Sequence, residues 1–234
     1  MEILKKKGYW IIGGVVVVLI GGGILGNQYM NSYLGNNVEI ESVTSGTAAG
    51  STEQAGTAVS ADAVNGEWTI ADTSNIYWSI TTSRETVNFV DKSVAGSWTV
   101  DLNDPTAMSG QGTVQMAELD SGNAQRDEHL QTADFLDVAT YPEAQFEAKS
   151  FTSLPTEWTE GEKVPVQMTG TMTVRGIEKE VTFDSEVVYS GGQLLLSGTT
   201  TVTFADFGLT NPHSVVLETE NDIRVQLELV LTKA

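Results

Sequence analysis

The side chains with the most chemical potential in this chain are crowded into Arg126-Asp127-Glu128-His129 and nearby Asp134. An imidazole held by a carboxylate is the usual form of an oriented general base, so His129 with Asp127 or Asp134 is the candidate for catalysis. Arg126 offers a different chemistry. A guanidinium beside an apolar mouth can pair with a phosphate or a quinone oxygen at the polar end of a ligand. An ion pair with Asp127, Asp134 or Asp137 is the structural alternative for the same residue. Other reactive patterns are missing: there is no G-x-S-x-G elbow and no phosphate loop, and Gly110-Gln111-Gly112 meets Gln115 where a dinucleotide fingerprint needs its third glycine. Asp101-x-Asn103-Asp104 lacks the glycine and distal glutamate of a calcium loop. Cysteine is absent, and His129 and His213 are the only imidazoles, so neither a metal site nor a cofactor is expected. A non-enzymatic protein is the expectation, with a His129-dependent hydrolase or isomerase as the rival.

The element that must position these groups is the stretch Gly122 to Phe146, whose pattern breaks the alternation on either side. Leu130, Phe135 and Val138 fall on one face of a short helical segment, with Asp127 and Glu128 near its positive N-terminal end. Pro142 forbids continuation and pushes Tyr141 toward an extended backbone. The expectation is a helical plug across the end of a β structure.

The wording of this stretch, Arg126-Asp127-Glu128-His129-Leu130, Asp134-Phe135-Leu136-Asp137, Tyr141-Pro142 and Phe146, resembles the signature of the YceI-like family. The resemblance continues at Gly170-Thr171-Met172-Thr173-Val174-Arg175-Gly176-Ile177-Glu178-Lys179 and at Asp206-Phe207-Gly208-Leu209, and it covers about residues 67–234. It implies a lipocalin-like barrel that binds polyisoprenoids or related amphipathic lipids, with a quinone among the possible ligands. Two departures are visible. Leu136 stands where the family usually has a second aromatic, and Phe204 stands where many relatives carry an arginine, which implies a less charged ligand if that arginine serves a head group.

The remaining chain shows how such a domain would be presented. Net charge is −19, with no basic stripe, which argues against a nucleic-acid partner and for a solvating acidic surface. Lys5, Lys6 and Lys7 precede an uncharged span from Gly8 to Val38, whose apolar heart, Tyr9 to Leu25, approaches the ~20 residues needed to cross a bilayer as a helix. The expected organisation is a cytoplasmic basic tail over 1–7, a transmembrane anchor over 8–30, a flexible Gly/Ser/Thr/Ala-rich linker over 31–65 and an extracytoplasmic barrel over 66–234. A cleaved signal peptide is the alternative, although Ile24 and Gly26 make a poor cleavage site.

From Glu67 onward the texture is that of strands. Val166, Met168, Gly170, Met172 and Val174 alternate with Gln167, Thr169, Thr171 and Thr173, and Val225, Leu227, Leu229 and Leu231 repeat the period. Similar segments, including Val114–Leu119, are joined by turn residues, so the fold class is all-β: an antiparallel barrel of about eight strands with one short helical segment. The apolar faces carry Met116, Met168 and Met172 beside Trp78, Trp98 and Phe146, with Phe135, Gly170 and Phe207 completing the candidate lumen. Methionine adapts to irregular shapes and suits an elongated hydrocarbon, yet ordinary core packing gives the same residues. The family resemblance turns the reading toward a ligand tunnel, with Arg126 and His129 as candidates for the ligand's polar end. A packed envelope module that binds a protein or cation through its acidic exterior is the other alternative.

Overall fold

The computed structural model of the protein describes residues 37–45, 56–152, 154–155, 157–212 and 218–234. The expected basic tail, membrane anchor and second histidine, His213, lie outside them. Among the described residues no helix is long and apolar enough to cross a membrane.

Strands dominate because the inward positions are apolar at every second residue. In order they are β1 (Ala58–Val59), β2 (Gly66–Ile70), β3 (Asn75–Thr82), β4 (Thr86–Asp91), β5 (Ala95–Val100), β6 (Ser109–Gln115), β7 (Glu143–Thr152), β8 (Trp158–Thr159), β9 (Lys163–Val174), β10 (Ile177–Ser190), β11 (Gln193–Thr203) and β12 (Thr219–Lys233). Among the described residues two short helices, α1 (Ala61–Val64) and α2 (Ala124–Leu130), accompany them. The expectation of one helical segment finds α2, but that helix ends at Leu130, so Phe135 and Val138, expected on its apolar face, stand in the turns that follow, and α1 is an addition.

β12 closes the barrel. Its N-terminal part pairs with β3 and its C-terminal end with β2, all antiparallel, while its other edge pairs with β11 from Gln193↔Thr232 to Thr203↔Asp222. β2 and β3 are therefore one stave interrupted at 71–74, where Ser74 Oγ accepts from the Val230 N–H (2.9 Å) and bridges the gap in the ladder. β4 continues β5 in the same way, so the closed ring has eight staves, each neighbouring the next in sequence. Closure pairs the staves around the ring, except along the outer side of β4, which meets only the isolated bridge Val90↔Asp120. One expected strand is shorter than the sequence suggests. Val114–Leu119 ends its pairing at Gln115, and Met116–Glu118 form a 3₁₀ turn that folds toward the barrel's end.

The two ends are covered differently. α2 and the following turns lie across the end formed by the termini of β3, β6, β9 and β11, and a 3₁₀ turn at Phe204–Phe207 completes that cap. The opposite end, the floor, is covered by α1 and by the small β1–β8 sheet. Val64 of α1 is fully buried and its carbonyl accepts from the Trp68 indole N–H at 2.8 Å.

Parts of the expected flexible linker are folded onto the barrel. Residues 37–45 run along the outer wall, where Asn37 Oδ1 accepts from the Asn88 N–H (2.7 Å) and Glu228 Oε2 accepts from the Val43 N–H (2.8 Å). Glu228 is completely buried beneath this strap, and its other oxygen accepts from Ser197 Oγ (2.7 Å) and Gln226 Nε2 (2.5 Å). A Gly/Ser/Thr-rich composition announces a coil because it offers little apolar surface. Here backbone groups dock on polar residues distant in sequence, which composition does not register.

Candidate functional site

Among the described residues, the inward faces of the staves line three apolar cavities that abut along the barrel. The upper one, about 60 Å³, lies under the cap and is walled by Met116, Leu130, Phe135, Leu136, Phe204 and Phe207, among others. The middle one, about 40 Å³, is bordered by Trp78, Trp98, Phe146, Met172, Phe183 and Leu229. The lower one, about 40 Å³ and next to the floor, is bordered by Val64, Trp98, Met108, Phe151, Trp158 and Met168. Trp78 borders both the upper and middle cavities, and Trp98 both the middle and lower. A single water needs roughly 10–15 Å³ on the same measure, so each chamber has room for only a few small groups until side chains move.

Eight of the nine expected lumen residues, Trp78, Trp98, Met116, Phe135, Phe146, Met168, Met172 and Phe207, border one of these chambers. Gly170 does not. A Cβ there would stand 2.3 Å from the Glu147 carbonyl oxygen and 2.7 Å from the Phe146 ring, so the missing side chain makes room for Phe146 rather than for a ligand. Phe146 in turn meets Phe183 edge to face at 5.1 Å. Gly110 plays the same part under the Trp98 indole, whose ring would lie 2.7 Å from its Cβ.

The expected polar-end residues are placed elsewhere than at a cavity. Arg126 is buried, and its Nε and Nη2 donate to Ser121 Oγ and to the Ser121 carbonyl, each at 2.8 Å. Ser121 Oγ donates onward to Asp127 Oδ1, which also accepts from the Ser121 N–H at 3.1 Å. The guanidinium also rests over the Phe89 ring, 5.6 Å from its centroid. Arg126 and Asp127 thus clamp the turn that leads into α2, whose N-cap Asn123 accepts from the Arg126 N–H. His129 packs edge to face on Phe135 at 4.7 Å, and its carbonyl accepts from Thr132 Oγ1. It borders none of the three chambers.

Asp206 is likewise architectural. It forms a reciprocal capping box with Thr203 and receives a hydrogen bond from Lys179 Nζ at 2.5 Å. The Lys179 hydrogen bond, followed by the Thr203 N–H, holds its carboxyl below the usual carboxylate range. Asp91 shows the opposite shift. It is fully buried on the inward face of β4, paired with Ile76, and burial pushes its carboxyl up despite hydrogen bonds from Ser93. Among the described residues no cluster of acidic and imidazole side chains is arranged to hold a metal ion.

Sequence reasoning missed Trp158, Val64 and Phe204 as chamber residues. Trp158 lies in a short irregular stretch without alternation, and Val64 sits in a four-residue helix. Phe204 follows the alternation of β11 and was legible as an inward residue.

Comparison with known proteins agrees with this architecture. A YceI-like domain is matched over residues 68–231. A UPF0312 protein of Pseudomonas putida (strain GB-1) is 33% identical over 141 residues, covering 58% of this chain and 70% of its own. Protein YceI of Escherichia coli O157:H7 is 32% identical over 100 residues, covering 43% of this chain and 48% of its own. Among solved structures, BcnA of Burkholderia cenocepacia superposes with a TM-score of 0.60 at 19% identity, over 69% of this chain and 98% of its own. A polyisoprenoid binding domain from Saccharophagus degradans superposes with a TM-score of 0.59 at 12% identity, over 71% of this chain and 98% of its own. At those identities the structural likeness speaks for the fold.

Proposed function

We propose, from the premise that this chain belongs to the YceI-like domain family, that its barrel binds and carries an isoprenoid-type lipid or similar amphiphile without doing chemistry on it. The observation that carries this reading is the series of abutting chambers, apolar throughout their named walls, that shares Trp78 and Trp98 from one chamber to the next. A slender hydrocarbon chain threading past these two indoles would join the chambers, and the methionine in each gives the wall room to adapt. Burying such a chain contributes roughly 25 cal/mol per Å² of apolar surface before ordering costs. The solved Saccharophagus degradans relative, described as a polyisoprenoid binding domain, supports the ligand class. His129, turned onto Phe135 and away from the chambers, gives the enzymatic rival no support.

The lysine triplet ahead of the uncharged span supports a second part of the proposal: a single N-terminal helix anchors the chain, with the barrel outside the cytoplasm. Full-length protein should then fractionate with membranes, and protease added outside the cytoplasmic membrane should release the barrel. Recovery of soluble protein beginning near Asn27 would establish a cleaved signal instead.

The small volume of the chambers favours a second reading, a packed barrel whose acidic exterior does the binding. Lipid extraction of the purified full-length chain decides between them. The carrier reading expects a co-purifying lipid, lost in Met172→Trp, which fills the middle chamber of a variant that still folds. A wild-type protein that holds no lipid and takes up no added polyprenol is a packed barrel.

A further inference from the structure

Alternation puts Gly110, Gly112, Gly170 and Gly198 on inward faces of their strands, and Gly112 differs from the other three. At Gly110 the Trp98 ring occupies the place of the missing side chain, at Gly170 the Phe146 ring and the Glu147 carbonyl occupy it, and at Gly198 the Ser185 hydroxyl does. At Gly112 a Cβ would make only ordinary contacts, 3.7 Å from Ile70 Cδ1 and 3.9 Å from the Ala95 carbonyl oxygen. Its φ is not among the positive ones, so the backbone there would accept an L side chain without strain.

The two cross-strand partners of Gly112 account for the open space. Gly96, opposite it on β5, has no side chain to lay over it, and a Cβ at Gly96 would run into the Gln111 carbonyl. Phe146, opposite it on β7, turns instead over Gly170 of β9 and meets Phe183 of β10 edge to face, 5.1 Å between ring centroids. The space that remains opens on the middle chamber, whose wall includes both Gly112 and Ile70. That chamber is only about 40 Å³ and is otherwise closed by bulky side chains such as Trp78, Trp98, Met172 and Leu229. In an interior packed this closely a single methyl group is felt. We infer that Gly112 sets the bore of the barrel, its missing side chain being the room that admits a methyl branch of a hydrocarbon chain past Trp78 and Trp98. A straight chain does not need this room, whereas an isoprenoid chain carries a methyl on each unit. This rests on the lipid-carrier reading and adds to it the residue that decides between branched and straight chains.

The test uses the full-length chain in lipid nanodiscs, equilibrated with an equimolar mixture of phytane and hexadecane, the same backbone with and without methyl branches. Native mass spectrometry reads the ratio of the two probes bound, and partitioning into the disc cancels when variants are compared. Gly112→Ala should lower the ratio of phytane to hexadecane by about fivefold or more, since a methyl forced into filled space is disfavoured to that extent, while hexadecane binding stays within about twofold. The thermal midpoint of Gly112→Ala should hold or rise slightly, because alanine loses less backbone freedom on folding, whereas Gly170→Ala should lower it. Adding Ile70→Val to Gly112→Ala removes the methyl nearest the new one, and the ratio should return to within about twofold of the unmutated protein. A Gly112→Ala chain that unfolds or is destabilised like Gly170→Ala shows the space to be full and overturns the inference. An unmoved ratio, an equal loss of both probes, or a lowered ratio that Ile70→Val does not restore also overturns it, and each leaves the lipid carrier standing. Failure of the unmutated protein to bind either probe removes the inference together with the carrier reading.

Discussion

The two ends of the barrel are closed by opposite strategies. At the α2 end the polar groups of the signature residues are occupied: Arg126 by Ser121, Ser121 by Asp127, and Asp206 by Thr203 and Lys179. At the floor Trp68 alone of the chamber-end indoles is paired, and Trp98 and Trp158 keep a donor in hand. The difference teaches that a dense run of chemically able side chains need not be where a ligand is met. Charged residues near the α2 end stabilise the turn that leads into α2, while at the floor two buried indole donors are left unpaired, as is that of Trp78 between the middle and upper chambers.

The hardest blow to this comparison would fall on Arg126. Arg126→Met removes two donors from Ser121 in a buried setting, where hydrogen bonds to a charged group contribute roughly 1.5–3 kcal/mol each, so a loss of about 3 kcal/mol is expected in denaturant unfolding. Lipid bound per folded molecule should not change. Normal stability with lost lipid would return Arg126 to the role of a ligand contact.

A finer contrast sets Trp68→Phe against Trp98→Phe. Both remove an indole of the same size from a buried site, but only the first breaks a bond within the protein, so Trp68→Phe should be the more destabilising by about 1 kcal/mol. Equal losses in thermal and denaturant unfolding would mean that the Trp98 donor is satisfied after all.

The smallest effect belongs to Asp206. Its carboxyl titrates below its ordinary 3.8, so the stability it contributes is present above that value and is lost as pH falls through the folded value. The Lys179 side of the pair is 45% exposed, and screening by water there limits the pair's worth to less than about 1 kcal/mol. Asp206→Asn should therefore lower the thermal midpoint slightly at neutral pH and flatten its decline in acid. An unaltered acid limb would detach Asp206 from the stability of the cap.

Much of the barrel was legible because a strand with one buried face repeats every second residue, as from Val166 to Val174 and from Val225 to Leu231. Gly170 marks where that logic stops. Alternation puts it on the inward face, yet only the tertiary register, which sets Ala148 opposite it and swings Phe146 over it, shows that its space is already filled. Gly170→Leu would thus overpack a full site rather than close an open one.

What the sequence determined by itself is the barrel, its helical plug at Arg126 to Leu130 and the apolar character of its interior, since periodicity, turn residues and a recognisable signature are all local in the chain. Only the tertiary structure decided which polar groups are free. Pairing depends on what lies across the barrel: Ser121 folds back to meet Arg126, Val64 brings its carbonyl to Trp68, the strap at 37–45 delivers the Val43 N–H to Glu228, and no polar group of the described residues pairs with the indole nitrogen of Trp98 or Trp158. Whether a donor is satisfied is a property of distance in space, and the order of residues along the chain does not contain it.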